Sequence, residues 1–158
     1  RPTLHAGGRV LDIGCGAAEK LTNWFLEEIT VGLEIDPGLS WLQQRYPSRR
    51  WLASDFSEAV DGEFDIIICS DVIEHLHDPE SLLRFIGRHR FRYAVVSTPD
   101  RPRLMAETGP PANPAHMREW NAVEFKALIG DYFSIREQFF CREPTGYHSQ
   151  CIVVQSRA

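Results

Sequence analysis

Apolar residues arrive along this chain in short runs separated by amphipathic stretches. Arg9-Val-Leu-Asp-Ile13 ends in Gly14-Cys-Gly16 and predicts a buried strand with a tight turn. Ala17–Glu28, with Leu21, Trp24, Phe25 and Glu28 at helical spacing, predicts a helix. Thr30–Ile35 predicts a second strand. Pro37 starts a helix in which Leu39, Leu42 and Tyr46 recur until Pro47. Trp51–Ala53 is a weak third strand, and Phe64–Cys69 is the near-continuous run expected of a parallel strand covered on both faces. Asp78-Pro79 caps a helix carrying Leu82, Leu83 and Ile86, and Tyr93–Ser97 is the next strand. Thr98–Glu119 breaks the pattern with a long loop rich in Pro, Gly and charge, of the kind that is usually functional or disordered. A helix follows over about Trp120–Ile129, with Asn121 as cap. Strands at about Phe133–Arg142 and His148–Ser156 close around Pro144-Thr-Gly146. Alternating strands and helices before a terminal hairpin imply an α/β fold: a mainly parallel sheet, helices on both faces and an antiparallel edge.

A length of 158 residues suits a single domain spanning residues 1–158. The chain starts without Met and enters a strand almost at once, so excision from a longer chain is expected. No apolar run is long enough to span a bilayer and Arg1–Gly8 has no signal-peptide core, which makes a cytoplasmic location the expectation. The net charge of −5 offers no general attraction to a polyanion, so nucleic acid is not an expected partner. Cys15, Cys69, Cys141 and Cys151 lack CxxC spacing and are expected to be reduced and packed, although the terminal hairpin would bring Cys141 near Cys151. Arg88–Arg92 reads as a solvated helix end.

Open parallel sheets bind ligands beyond the carboxyl ends of their strands, where the winding direction reverses. Gly14 and Gly16 follow the first strand, where bare backbone turns sharply and approaches a ligand. Glu34 ends the second strand about twenty residues after the first glycine turn, a spacing at which a carboxylate can accept from both hydroxyls of a ribose. Asp55 follows the third strand, within reach of an adenine amine. A nicotinamide enzyme would want a third glycine opening the helix and positive potential for its pyrophosphate, whereas this turn runs Gly14-Cys-Gly-Ala-Ala-Glu19. Singly, each residue has a plainer use: Asp12 on turn amides, Asp55 as a cap, Glu34 as an exposed carboxylate.

Val10-Leu-Asp-Ile-Gly-Cys-Gly16, Gly32-Leu-Glu-Ile-Asp36, Ser54-Asp-Phe56 and Phe64-Asp-Ile-Ile-Ile-Cys-Ser-Asp-Val-Ile-Glu-His-Leu76 resemble, in order and spacing, four motifs of the class I S-adenosylmethionine-dependent methyltransferases of the type 11/23 kind. The resemblance covers about the first half of the chain. It implies a Rossmann-like, seven-stranded sheet of order 3-2-1-4-5-7-6, with S-adenosylmethionine as cofactor and S-adenosylhomocysteine as product. By that likeness Asp12 and the Gly14-Cys15-Gly16 backbone face the methionine part, Glu34 and Ile35 the ribose, Asp55 and Phe56 the adenine, and Ser70 and Val72 the sulfonium.

Methyl transfer from a sulfonium is an in-line displacement, leaving the protein to align the acceptor and remove its proton. Glu74 and His75 follow the fourth strand, and His116 with Glu119 lies in the long loop. A carboxylate and two imidazoles on one face suit either a divalent cation or a general base; the reading adopted makes His116 the base, flanked by Glu74 and His75, with no metal ligand assigned. The Glu-His pair is common among small-molecule methyltransferases, and Asp71-Val-Ile-Glu-His75 with a later His also looks like the metal site of small-RNA 2′-O-methyltransferases, with Asp71 where those enzymes carry Glu. Thr98–Trp120 resembles methyltransferases found beside or fused to glycosyltransferases in bacterial glycan synthesis, with Arg101, Arg103, Arg118 and Trp120 placed to grip an acceptor. The expectation is therefore methylation of an oxygen on a small molecule or glycan, beside or fused to a glycosyltransferase. The rivals are an RNA 2′-O-methyltransferase with a metal site and a non-catalytic module that binds the cofactor.

Overall fold

The computed structural model describes residues 8–101, 110–111, 113–142 and 148–156. Seven strands form one sheet: β1 (Val10–Ile13), β2 (Thr30–Glu34), β3 (Arg50–Ala53), β4 (Glu63–Ser70), β5 (Arg90–Pro99), β6 (Ser134–Arg142) and β7 (His148–Gln155). Their order is β3-β2-β1-β4-β5-β7-β6, as the resemblance implies. Pairs from β3 to β5 are parallel, and β7 runs antiparallel between β5 and β6. The winding direction reverses between β1 and β4, which fixes where a ligand can enter.

All four residues of β1 are buried, as a central parallel strand requires. Side chains alternate across the sheet. Leu11 and Ile13 join a core with Leu82, Phe85, Phe125 and Ile129, while Val10 joins a smaller cluster with Leu21, Leu42 and Trp51. Gly32 is needed in that second layer because a Cβ there would strike the Trp51 ring.

Among the described residues four α-helices with defined limits cover the sheet: α1 (Glu19–Trp24), α2 (Gly38–Arg45), α3 (Pro79–Gly87) and α4 (Ala122–Tyr132). Asp78 caps α3 by accepting from Glu80 N and Ser81 N. A capping box starts α4, Asn121 accepting from Val123 N and Glu124 N while Glu124 accepts from Asn121 N. Asn121→Ala is expected to lower stability by about 1 kcal/mol, read as a shift in the urea midpoint at unchanged slope.

Two expectations are corrected. The helix expected over Ala17–Glu28 is only α1, followed by a 3₁₀ turn at Glu27–Ile29, and Trp24 is 58% exposed. Ala18 holds a left-handed conformation (φ 57°) that delays the start, and Phe25 turns extended, its carbonyl accepting from Arg49 Nη2 at 3.0 Å. Trp120, expected at the acceptor, is 1% exposed and packs on Phe125 in the core. Arg103 and Pro144–Gly146 lie outside the described residues. The four cysteines are free, with Cys141 and Cys151 Sγ atoms 3.8 Å apart across the hairpin.

Candidate active site

A cleft of about 670 Å³ opens at the carboxyl ends of β1 to β4, on the reversal point, and Gly14, Glu34, Ile35, Asp55, Phe56 and Val72 all line it. Gly14 (φ 64°) must lack a side chain, since a Cβ there would collide with Val72 Cγ2. Gly14 N and Cys15 N both donate to Leu33 O, closing the turn over the end of β2. From that end Glu34 reaches across: Oε2 accepts from Gly16 N at 2.6 Å and Oε1 from Ile35 N at 2.9 Å. The carboxylate is thus oriented by two amides at the cleft wall.

Asp55 Oδ1 accepts from Ser57 N at 2.9 Å, and hydrogen bonding from the Ser57 side chain, then from its amide, holds the carboxyl below its usual range. Phe56, with φ 66°, lays its ring 5.3 Å from that of Phe85. The loop is tied to the C-terminal end of α3. Arg88 Nη1 donates to Ser57 O (2.6 Å) and Phe56 O (3.3 Å), and His89 Nε2 accepts from Val60 N while Nδ1–H donates to Phe85 O. Arg88 is therefore a strut for the loop, a role the Arg88–Arg92 pattern did not reveal.

Asp12, Cys15, Gly16 and Ser70 do not line the cleft. Cys15 is buried, and desolvation pushes its thiol up to about 12, so its backbone is what serves the turn. Asp12 is 0% exposed and neither carboxyl oxygen has a hydrogen-bond partner among the described residues. Burial pushes its pKa up to about 7, against the opposing pull of Lys20. An orphaned carboxyl two residues before the glycine turn is a costly feature unless a ligand group meets it.

The acceptor end brings three residues together. Ligand atoms of Glu74, His75 and His116 lie within 4.8 Å of one another, and the two rings meet edge to face at 4.8 Å. His75 is exposed and lines the cleft; His116 is 7% exposed and does not. His116 Nδ1 is 2.7 Å from Glu119 Oε1, and Asn113 Nδ2 is 3.1 Å from its Nε2. His75 Nδ1 donates to Ala115 O at 3.0 Å. Glu74 is fully buried; Oε2 accepts from Thr98 Oγ1, Oε1 has no partner among the described residues, and burial pushes the group up to about 7. Asn113, Ala115 and Glu119 as ring-holders went unread, although Asn113-Pro is a turn signal.

Four carboxylates line the cleft, those of Glu34, Asp55, Asp71 and Asp78, and among the described residues no Lys or Arg does. That sign of charge is hostile to a pyrophosphate and favourable to a cationic nucleoside. A methyltransferase-domain family model matches residues 1–137. A probable S-adenosylmethionine-dependent methyltransferase of Mycobacterium tuberculosis is 30% identical over 129 residues, 77% of this chain and 47% of that protein. The chain belongs to the class I S-adenosylmethionine-dependent methyltransferases. A ubiquinone biosynthesis O-methyltransferase of Pseudomonas syringae is 30% identical over 92 residues, 52% of this chain and 40% of that protein. The chain therefore spans about half the length of the curated relatives it matches. In fold it resembles the 1,6-didemethyltoxoflavin-N1-methyltransferase of Burkholderia thailandensis, solved with S-adenosylhomocysteine, at TM-score 0.71 and 24% identity over 98% of this chain and 74% of that one.

The residues present fit the methyltransferase cofactor. Bare glycine backbone, the orphaned Asp12, the oriented Glu34 carboxylate and the Phe56 ring offer groups for an aminoacyl, a ribose and an adenine moiety. No helix of the described residues is long and apolar enough to cross a membrane.

Proposed function

We propose that this methyltransferase transfers the methyl group of S-adenosylmethionine to an oxygen of a small molecule or glycan presented beside His75. The observation that carries the reading is a largely apolar cleft whose charged lining among the described residues is the four carboxylates from Glu34 to Asp78, ending against the Glu74, His75 and His116 cluster. Asp12 and the Gly14–Gly16 backbone hold the aminoacyl part, Glu34 and Ile35 the ribose, Asp55 and Phe56 the adenine, with Val72 and Ser70 near the sulfonium. The cofactor supplies an electrophilic methyl whose bond to sulfur breaks as the bond to the acceptor oxygen forms.

A hydroxyl acceptor must lose its proton, and the imidazole cluster is the group placed to handle it. A carbonyl only accepts, so His75 carries its proton on Nδ1 and its lone pair on Nε2. His116 carries its proton toward Glu119. The sequence favoured His116 as base; with its ring buried and both nitrogens engaged, His75 is the member facing the cleft and His116 stands behind it. Likeness to an O-methyltransferase of ubiquinone biosynthesis supports an oxygen acceptor. The resemblance of Thr98–Trp120 supports a glycan and a glycosyltransferase partner. Four carboxylates in the cleft and a net charge of −5 speak against a polyanionic RNA.

The test is incubation with methyl-labelled S-adenosylmethionine and a panel of phenols, nucleotide sugars, lipid-linked glycans and small RNAs, followed by mass spectrometry. Label on an oxygen of a small molecule or glycan is expected, with His75→Ala and His116→Ala slowing turnover about 10²–10⁴-fold at retained cofactor affinity. Label confined to nitrogen, to carbon or to RNA would overturn the acceptor reading.

A further inference from the structure

We propose that Glu74, His75 and His116 form a binding site for one divalent cation at the acceptor end of the cleft. The site stands on geometry; its use in methyl transfer rests on the function proposed above. Two imidazoles and a carboxylate suit Mn²⁺, Fe²⁺, Co²⁺ or Zn²⁺ better than the all-oxygen coordination of Mg²⁺ or Ca²⁺. Their ligand atoms already lie within 4.8 Å of one another, although His75 and His116 come from separate segments.

The outer contacts are those that metal-binding histidines require. Such a ring donates its second N–H to a carbonyl or carboxylate, which fixes the tautomer and aims the other nitrogen at the metal. Here both rings do so through Nδ1, His75 to Ala115 O and His116 to Glu119 Oε1. Asn113 confirms the second assignment. Its Oδ1 accepts from Ala115 N, so its amide nitrogen is the atom facing His116 Nε2, which must carry a lone pair. One turn of chain, 113–119, thereby sets both rings. On cation binding the Asn113 amide gives up its place on Nε2.

Glu74 supplies the independent sign of a missing partner. Its side chain is wholly buried, Thr98 satisfies Oε2, and Oε1 is unmet among the described residues. Its own carbonyl accepts from Met117 N and Arg118 N, which pins the loop bearing His116 against the segment bearing Glu74 and His75. A buried carboxylate with an unmet oxygen, clustered within 4.8 Å of two imidazoles, lacks a positive charge, and a cation supplies it. Because His75 opens on the cleft, a fourth position faces an incoming hydroxyl. With the cation bound, His75 Nε2 serves as a ligand in place of the base, and the cation would lower the hydroxyl's pKa so that its proton leaves to solvent through the open cleft.

Cobalt titration of the purified chain without S-adenosylmethionine, followed by visible d–d absorption, tests the site. One equivalent of Co²⁺ is expected. Affinity should fall at least about tenfold in His75→Ala and Glu74→Gln, and about 10–100-fold in Glu119→Gln, which leaves all three ligands in place. His75 is exposed and Gln matches Glu in size, so these variants keep the fold, checked by circular dichroism. Wild-type affinity within about twofold of both His75→Ala and Glu74→Gln, or no d–d bands at all, overturns the cation site. Separate calorimetry with S-adenosylmethionine keeps the two readings apart: cofactor binding without Co²⁺ binding removes only the cation, and the converse removes only the methyltransferase function.

Discussion

Glu34→Ala is expected to weaken S-adenosylmethionine binding at least about hundredfold while leaving the fold intact. Hydrogen bonds to a charged group contribute about 1.5–3 kcal/mol each, so losing the pair that a ribose diol makes costs about 3 kcal/mol or more. Each 1.4 kcal/mol is tenfold in affinity. The side chain stands half-buried at the end of β2, whose register against β3 is held by backbone bonds, and water can replace it on Gly16 N and Ile35 N. Glu34→Gln should fall between: its carbonyl still accepts from one amide, but its NH₂ cannot accept from a hydroxyl. Calorimetry reads the affinities and far-UV circular dichroism the fold. Equal affinity in wild type and Glu34→Ala would remove the carboxylate from the ribose role.

Strands were the legible part of this chain because they are short, apolar and bounded by turn residues. Val10–Ile13, Glu63–Ser70 and the terminal hairpin all appear within a residue or two of their expected limits. Helix α1 was misread because periodicity over Ala17–Glu28 is a local signal, whereas its ends are set by Ala18 in the left-handed region and by Arg49, far along the chain, holding Phe25 O and Thr30 Oγ1. Trp120 shows the same limit, since nothing nearby in sequence announces that it packs on Phe125. In the site, glycines and acids after strands could be placed because the sheet dictates where strand ends meet. What no spacing reveals is that His75 and His116 touch, or which atom holds each ring nitrogen, because these depend on the path of the loop back over Glu74.

Asp12→Asn is expected to make the cofactor-free protein more stable at pH 8 and a poorer binder. Unfolded, the Asp12 carboxyl titrates near its ordinary value of about 3.9. Folded, burial pushes it up to about 7, with the Glu34 charge adding to the rise and Lys20 opposing it. Between those values the folded chain holds a proton that the unfolded chain has released, so this group's contribution to stability falls as pH rises from about 4 to about 7 and stays low above that. A shift of about three pKa units corresponds to a penalty on the order of 4 kcal/mol at pH 8. Asparagine has nearly the same shape and no charge to desolvate, so it escapes that penalty while still burying an amide that has no partner. A net gain of a few kcal/mol at pH 8 follows, shrinking toward zero at pH 4, where the wild-type carboxyl is neutral as well. Urea unfolding at the two pH values measures this, and parallel stability–pH curves for the two proteins would refute it. Cofactor affinity should move the other way, because a carboxylate kept in a place that disfavours its charge is useful only to a ligand that brings a compensating one.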